Sequence, residues 1–188
     1  LTSCYNVTNV GALGRLKALT SLDLTCCPTN KVPDLRMLGS LSALTSLSLV
    51  DCFSVTDLGA LGSLSALTSL DLDDCRGVTD ARALGSLSAL NSLNLHNCVK
   101  ATDVGALGSL MALTSLNLSG CRSVADVGAL GSLSALTTLD LATCYHVTDL
   151  GVLGRLSALT SLDLTDCVNA NVTDVLMGVL GSLFRLTS

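Results

Sequence analysis

The chain has 188 residues, 49% of them hydrophobic and 13% charged, with a mean hydropathy of +0.62 and a net charge of −5. No apolar run approaches the ~18 residues of a membrane-spanning helix, because Gly, Ser, Thr or Asp interrupts each one, so membrane insertion is not expected. Leu occurs 43 times, far too much aliphatic surface for a disordered chain, and ten Lys and Arg scattered along an acidic sequence exclude a nucleic-acid footprint.

Cysteine sets the period. Cys4, Cys27, Cys52, Cys75, Cys98, Cys121, Cys144 and Cys167 lie 23 residues apart, except for one interval of 25. Between them runs one phrase, LGSLSALTSLDLDDCRGVTD over Leu61 to Asp80, and eight such units account for residues 1–188 as a single repeat domain. Short insertions fall at Pro28 to Val32, Val168 to Val172 and around Leu176 to Val179. The first and last residues lie inside repeat phrases, so an uncapped fragment of a longer array is expected, its open ends covered by flanking repeats or end-to-end self-association.

Within a unit the elements follow in a fixed order. LTSLDL (Leu67 to Leu72) alternates Leu with polar residues and predicts a short strand. After the cysteine, V-T-D leads into a stretch with Leu at every third residue, which suits a 3₁₀ or short α turn. Asp34, Asp57, Asp80, Asp103, Asp126, Asp149 and Asp174, with Asn9 in the first unit, stand where a helix N-cap belongs. Gly62 and Ala66, like Gly108 and Ala112, are small enough to let successive coils approach closely on the convex side.

The pattern L-x-x-L-x-L-x-x-C-x-x-V-T-D, seen in LNSLNLHNCVKATD (Leu90 to Asp103, with Ala101 in the Val slot), resembles the cysteine-containing class of leucine-rich repeats. The Gly-Ala-Leu-Gly-Ser-Leu phrase more weakly resembles leucine-rich repeat proteins of trypanosomatid parasites. The resemblance implies an α/β solenoid of about eight 23-residue units, with a parallel concave β-sheet and short 3₁₀ or α turns on the convex side. Joined to the surface pattern of Asp, aromatic and Arg residues described below, it leads to the expectation of a non-enzymatic protein-protein interaction module. Two alternatives follow from it: the substrate-recognition arm of a ubiquitin ligase, although no ligase-binding helix or zinc motif is present, and a surface antigen or adhesin domain.

Eight cysteines in one column point the same way, so they cannot face one another as disulfides, and each thiol is expected to donate to a neighbouring loop carbonyl. Unpaired thiols favour an intracellular, reducing compartment. Cys26 falls outside the ladder and is expected to face solvent. No C-x-x-C pair or partnered His indicates a metal, and no phosphate-loop motif indicates a cofactor.

The sequence has no Glu, and its 15 Asp fall into two sets. Seven are the caps. The other eight, Asp23, Asp51, Asp71, Asp73, Asp74, Asp140, Asp163 and Asp166, are expected at exposed strand positions on the concave face. They form an acidic strip opposite a convex side with Arg15, Lys17, Arg36, Arg82, Arg155 and Arg185, which predicts a basic protein or peptide partner. The position after each ladder cysteine reads Tyr5, Pro28, Phe53, Arg76, Val99, Arg122, Tyr145, Val168. Phe53, Arg76, Arg122 and Tyr145 make this column a candidate binding edge, since aromatic and Arg side chains dominate interfaces.

Asp73, His96 and Ser119 occupy equivalent places in three successive units and imitate a Ser-His-Asp arrangement. An open sheet face supplies neither an oxyanion site nor exclusion of water, so His96 is expected to pair with Asp73 as part of the binding face, without catalysis. His146, beside Tyr145, reads as a rim residue. The N-x-[ST] sequons at Asn6, Asn117 and Asn171 are too few to stand above chance in so Ser- and Thr-rich a chain.

Overall fold

The computed structural model of the protein describes residues 11–26 and 35–167. Cys4, Cys27, Asn9, Asp34, Asp174, Tyr5, Pro28, Val168, Arg185, Asn6, Asn171 and the three insertions fall outside these residues. The described chain alternates 3₁₀ helices and strands: η1 Gly11–Arg15, β1 Ser21–Asp23, η2 Leu35–Ser40, β2 Ser46–Ser48, η3 Gly59–Ser63, β3 Ser69–Asp71, η4 Arg82–Ser86, β4 Ser92–Asn94, η5 Gly105–Ser109, β5 Ser115–Asn117, η6 Gly128–Ser132, β6 Thr138–Asp140, η7 Gly151–Arg155 and β7 Ser161–Asp163. The strands form one seven-stranded parallel sheet in sequence order, with Leu22, Leu47, Leu70, Leu93, Leu116, Leu139 and Leu162 in register.

Each strand is only three residues long, shorter than the six-residue segment expected. The ladder nevertheless continues past it, through Leu72 N–H to Asn94 O at 2.8 Å and Asp74 N–H to His96 O at 2.8 Å. The alternation stops because Leu72 already turns into the core, where it is fully buried.

The turns on the far side are all 3₁₀, and the Leu spacing explains why. Leu61 N–H donates to Leu58 O at 2.9 Å, Leu64 to Leu61 at 2.9 Å and Leu67 to Leu64 at 2.9 Å, so each i→i−3 bond links one Leu of the triplet series to the next. A three-residue turn eclipses side chains at i and i+3. All four leucines therefore enter the core together, each at most 1% exposed.

Two devices set the spacing of coils on this side. A Cβ on Gly39, Gly62, Gly85 or Gly108 would stand 2.7, 2.8, 2.6 or 2.5 Å from the carbonyl oxygen of Ala60, Ala83, Ala106 or Ala129 in the next coil. Only glycine permits that approach. Ser63 Oγ then shares its one proton between Gly39 O at 2.9 Å and Ala60 O at 2.8 Å, and Ser86 and Ser109 repeat the arrangement one and two coils on.

The cap aspartates act as expected in chemistry but one step displaced in position. Asp57, Asp103, Asp126 and Asp149 each accept through Oδ1 the N–H of the first helical glycine, two residues on, at 2.7 to 2.8 Å. The residue between, such as Leu58, occupies the cap position without a side-chain bond. This is an Asx turn, in which the carboxylate closes the loop that feeds the helix.

The thiol ladder closes the opposite corner. Cys75, Cys98, Cys121, Cys144 and Cys167 donate to Leu49, Leu72, Leu95, Leu118 and Leu141 carbonyls of the preceding coil at 3.1, 3.4, 3.1, 3.1 and 3.0 Å. All are free thiols. Burial disfavours the thiolate, and the neighbouring cysteine adds to the effect, so Cys121 and Cys144 are pushed up to about 12; burial also raises Cys75, Cys98 and Cys167.

The residue just before each ladder position has a left-handed backbone: Cys26, Asp51, Asp74, Asn97, Gly120, Thr143 and Asp166, with φ of 56°, 60°, 58°, 54°, 74°, 59° and 58°. Gly, Asn and Asp are the residues that tolerate this region. Thr143 is β-branched and pays a steric cost there.

Three outcomes follow from these contacts. Gly108→Ala should destabilise the fold by about 1–3 kcal/mol in urea denaturation, through overpacking against Ala129. Gly105→Ala, whose Cβ would meet only its own Asp103 Oδ1 at 3.1 Å, should stay within ~0.5 kcal/mol. Equal losses would mean that close approach does not set the coil spacing. Thr143→Asn should stabilise by on the order of 0.5–1 kcal/mol by relieving the left-handed strain, read as a higher denaturation midpoint. The raised thiols bind protons more tightly when folded, so their contribution is complete below the ordinary thiol value of 9.0 and is lost as pH climbs toward about 12. Urea titrations across that window should show falling stability, with a shallower fall in Cys121→Ala; a flat profile would contradict the buried ladder.

Candidate interaction surface

The outward-facing surface of the sheet is built from three columns per coil. The first is almost uniformly Ser, from Ser21 to Ser161, with Thr138 the one exception among the described strands. The second, at each strand end, reads Asp23, Ser48, Asp71, Asn94, Asn117, Asp140 and Asp163. Every Asp and Asn in it accepts the backbone N–H two residues on: Thr25, Asp73, His96, Ser119, Ala142 and Thr165, at 2.9, 3.1, 2.9, 2.8, 2.9 and 2.8 Å. The Thr25 hydroxyl and N–H hold the Asp23 carboxyl below the ordinary carboxylate value, and those of Thr165 do the same for Asp163.

The structure thus divides the eight aspartates expected at exposed strand positions. Asp23, Asp71, Asp140 and Asp163 end strands, and all but Asp163 are half-buried. Asp51, Asp74 and Asp166 are not on strands at all; they fill the left-handed site of the following turn. Asp51 Oδ2 accepts the Cys26 thiol at 3.3 Å, which makes Cys26 half-buried rather than a freely exposed group. Asp74 takes Arg76 in a bidentate grip, Nε to Oδ1 at 3.0 Å and a terminal nitrogen to Oδ2 at 2.9 Å. This use of Asp for backbone geometry was readable from the sequence, because Asn and Gly share its columns. Reading those columns by charge alone hides it.

Asp73 belongs to the third column, where no backbone requirement holds it. Its Oδ1 lies 2.7 Å from His96 Nδ1, as the repeat spacing predicts. Ser119 does not complete a triad: its Oγ donates to Asn117 Oδ1 at 2.6 Å on its own strand, and the residue is 8% exposed. A nucleophile needs its hydroxyl proton directed at the imidazole. Here that proton is directed elsewhere.

The column after the ladder cysteine forms one edge of the sheet surface. The Arg76 guanidinium lies 5.4 Å from the Phe53 ring centre, and that of Arg122 lies 5.7 Å from the Tyr145 ring centre. Phe53 is 40% exposed, unusual for a large apolar side chain. The predicted edge residues are therefore brought together in two aromatic-cation pairs, with half-buried Val99 between them.

Charge is not uniform along the solenoid. Asp71, Asp73 and Asp74 crowd the coil of β3, and Asp163 and Asp166 that of β7. Between them the equivalent positions hold Asn94, His96, Asn97, Asn117, Ser119 and Gly120 in the coils of β4 and β5. The acidic strip of the sequence is thus two acidic flanks around an amide-rich centre that holds no carboxylate. Among the described residues no cluster of His, Cys, Asp or Glu is arranged to hold a metal ion, and no helix is long and apolar enough to cross a membrane.

Comparison with known proteins agrees with this architecture. The family model for the leucine-rich repeat matches residues 110–131, which run from the end of η5 through β5 into η6. No characterised protein matches the sequence. Among solved structures, an internalin (InlF) from Listeria monocytogenes aligns with a TM-score of 0.60 at 23% identity, over 82% of this chain and 50% of its own. Internalin C2 from the same organism aligns with a TM-score of 0.70 at 25% identity, over 93% of this chain and 74% of its own. The chain thus spans half the length of the first of these structures. The in-register parallel sheet, the 3₁₀ turns, the repeat match and these likenesses together identify the fold as a leucine-rich-repeat solenoid.

Proposed function

We propose that the chain is a non-enzymatic protein-binding module whose sheet face, bounded by the Phe53, Arg76, Arg122 and Tyr145 edge, receives a basic protein or peptide on its acidic flanks. The leucine-rich-repeat fold suggests a protein-protein interaction role in general. The finer reading is supported by one observation. Asn serves the strand-end column at Asn94 and Asn117 and the left-handed column at Asn97, yet Asp23, Asp71, Asp74, Asp140, Asp163 and Asp166 carry charge in the same places. Folding does not require those charges. Concentrated on one face, they steer and orient a partner of opposite sign. Asp73, paired with His96, adds to the flank nearest the aromatic edge.

The same columns supply a clean test, because Asp→Asn there removes charge while keeping the turn. A random-peptide display selection against the folded array should enrich Lys- and Arg-containing sequences. The Asp71→Asn, Asp140→Asn, Asp163→Asn triple variant should melt within a few degrees of the parent. It should also lower the association rate of a selected peptide by about tenfold at low salt, with a smaller change in dissociation rate. Peptides without basic enrichment, or rates indifferent to both salt and the triple variant, would mean that the aspartates serve only the turns.

A further inference from the structure

We propose that the edge of the β4, β5 and β6 coils, formed by Lys100, Arg122, Tyr145 and His146, is a second docking surface, and that its occupant is an acidic peptide segment. The proposal deepens the binding-module reading and rests on it for the class of ligand, but it concerns the edge that bounds the acidic face rather than the face itself, and a partner of opposite charge.

Two arginines occupy the same column, and the fold treats them differently. Arg76 is neutralised within its own turn by the bidentate grip of Asp74. In the Arg122 turn the residue equivalent to Asp74 is Gly120, so no carboxylate is available there. The flanking turns repeat the omission, with Asn97 and Thr143 in the left-handed site. The aspartates nearest in sequence turn one carboxylate oxygen to the backbone of their own turns: Asp103, Asp126 and Asp149 accept helical N–H groups, and Asp140 accepts Ala142 N–H. The ion pairs among the described residues join Arg76 to Asp74 and Arg82 to Asp80, and neither these nor the His96–Asp73 contact includes Lys100, Arg122 or His146.

The repeat register brings these residues to one edge. Ser123 Oγ donates to Val99 O at 2.7 Å, which places the turn of the β5 coil directly against that of the β4 coil. Lys100, Ser123 and His146 are equivalent in three successive coils, and the Arg122 guanidinium lies over Tyr145 in the next. Lys100, Arg122 and His146 are exposed. Three coils span ~10 Å between the outer members, and side chains on one side of an extended peptide recur every ~7 Å. Lys100 and Arg122 stand one coil apart, ~5 Å at the backbone, and their long side chains can spread to take two carboxylates of one extended segment, with His146 one coil further on and Tyr145 beneath the Arg122 guanidinium. Charge complementarity favours an acidic peptide, and the absence of an internal carboxylate leaves the guanidinium fork of Arg122 open to receive one.

The test is fluorescence anisotropy with a labelled hexaglutamate peptide, hexaglutamine as the uncharged probe and phosphatidylserine vesicles as the alternative anion. Hexaglutamate should bind in preference to hexaglutamine, and more weakly as salt rises. Lys100→Gln with Arg122→Gln should weaken it about tenfold, each exposed charge contributing about two- to fivefold. Arg82→Gln, at the start of η4 and held by Asp80, should leave binding unchanged. Asp74→Gly, which suits the φ of 58° at that site, frees Arg76 and should strengthen binding. The Asp71→Asn, Asp140→Asn, Asp163→Asn variant should retain hexaglutamate binding, so failure of the acidic-flank reading and failure of this one are separately visible. Equal binding of hexaglutamate and hexaglutamine overturns the proposal, as does unchanged affinity in the Lys100 and Arg122 double variant. Capture of vesicles without peptide binding overturns it too, by assigning the edge to a membrane surface.

Discussion

The parallel ladder allows the chain one pitch, and every other feature is a way of keeping that pitch around the rest of the coil. Adjacent strands cannot stand closer or farther than their N–H···O=C bonds permit, ~4.8 Å. Each coil must return to the sheet after 23 residues with its backbone advanced by that one step. On the return path a carbonyl of one coil meets the alpha carbon of the preceding one, which excludes a side chain at Gly39, Gly62, Gly85 and Gly108. The serine hydroxyls that bridge the same carbonyls and the thiols that bridge the strand-end carbonyls serve the polar groups left over by this packing. None of the buried side-chain nitrogen or oxygen atoms among the described residues lacks a partner.

This dependence explains why the fold is so legible in the amino-acid sequence. A pitch that cannot vary forces the same residue into the same place in coil after coil. The Cys, Leu, Gly and Asp columns therefore announce the repeat, the strand, the 3₁₀ turn and the free-thiol ladder without reference to distant contacts. Strand length was less legible, because Leu72 and Leu24 alternate as strand residues do while already bending into the core. The left-handed turn was the larger omission. Its signature, Asp51, Asp74, Asn97, Gly120 and Asp166 in one column, is a backbone signature, yet it is also four parts acid or amide and is easily taken for a surface charge pattern.

The surface was legible in composition but not in arrangement. Repeat spacing correctly brings Asp73 to His96 and Arg76 to Phe53, since neighbours in a column are neighbours in space. It does not reveal where a side chain turns within its own unit. Asn117 draws the Ser119 hydroxyl away from His96, and Asp74 folds back on Arg76, both through contacts only two residues long. In a repeat protein the long-range geometry is thus the predictable part, and the local competition among polar side chains decides which charges remain available to a partner.

The serine bridge on the return path also bears on how the described coils stack. Gly39 O and Ala60 O share the Ser63 hydroxyl, so the two backbones on the convex side lie within two hydrogen-bond lengths of each other, close to the strand spacing on the other side. A stack whose two faces advance at similar rates bends little. Curvature in such arrays comes from thick elements on the outside, and five-residue 3₁₀ turns are thin. A sheet that bends little offers little enclosure. It presents a long, shallow track instead, with one set of side chains at each step along the stack.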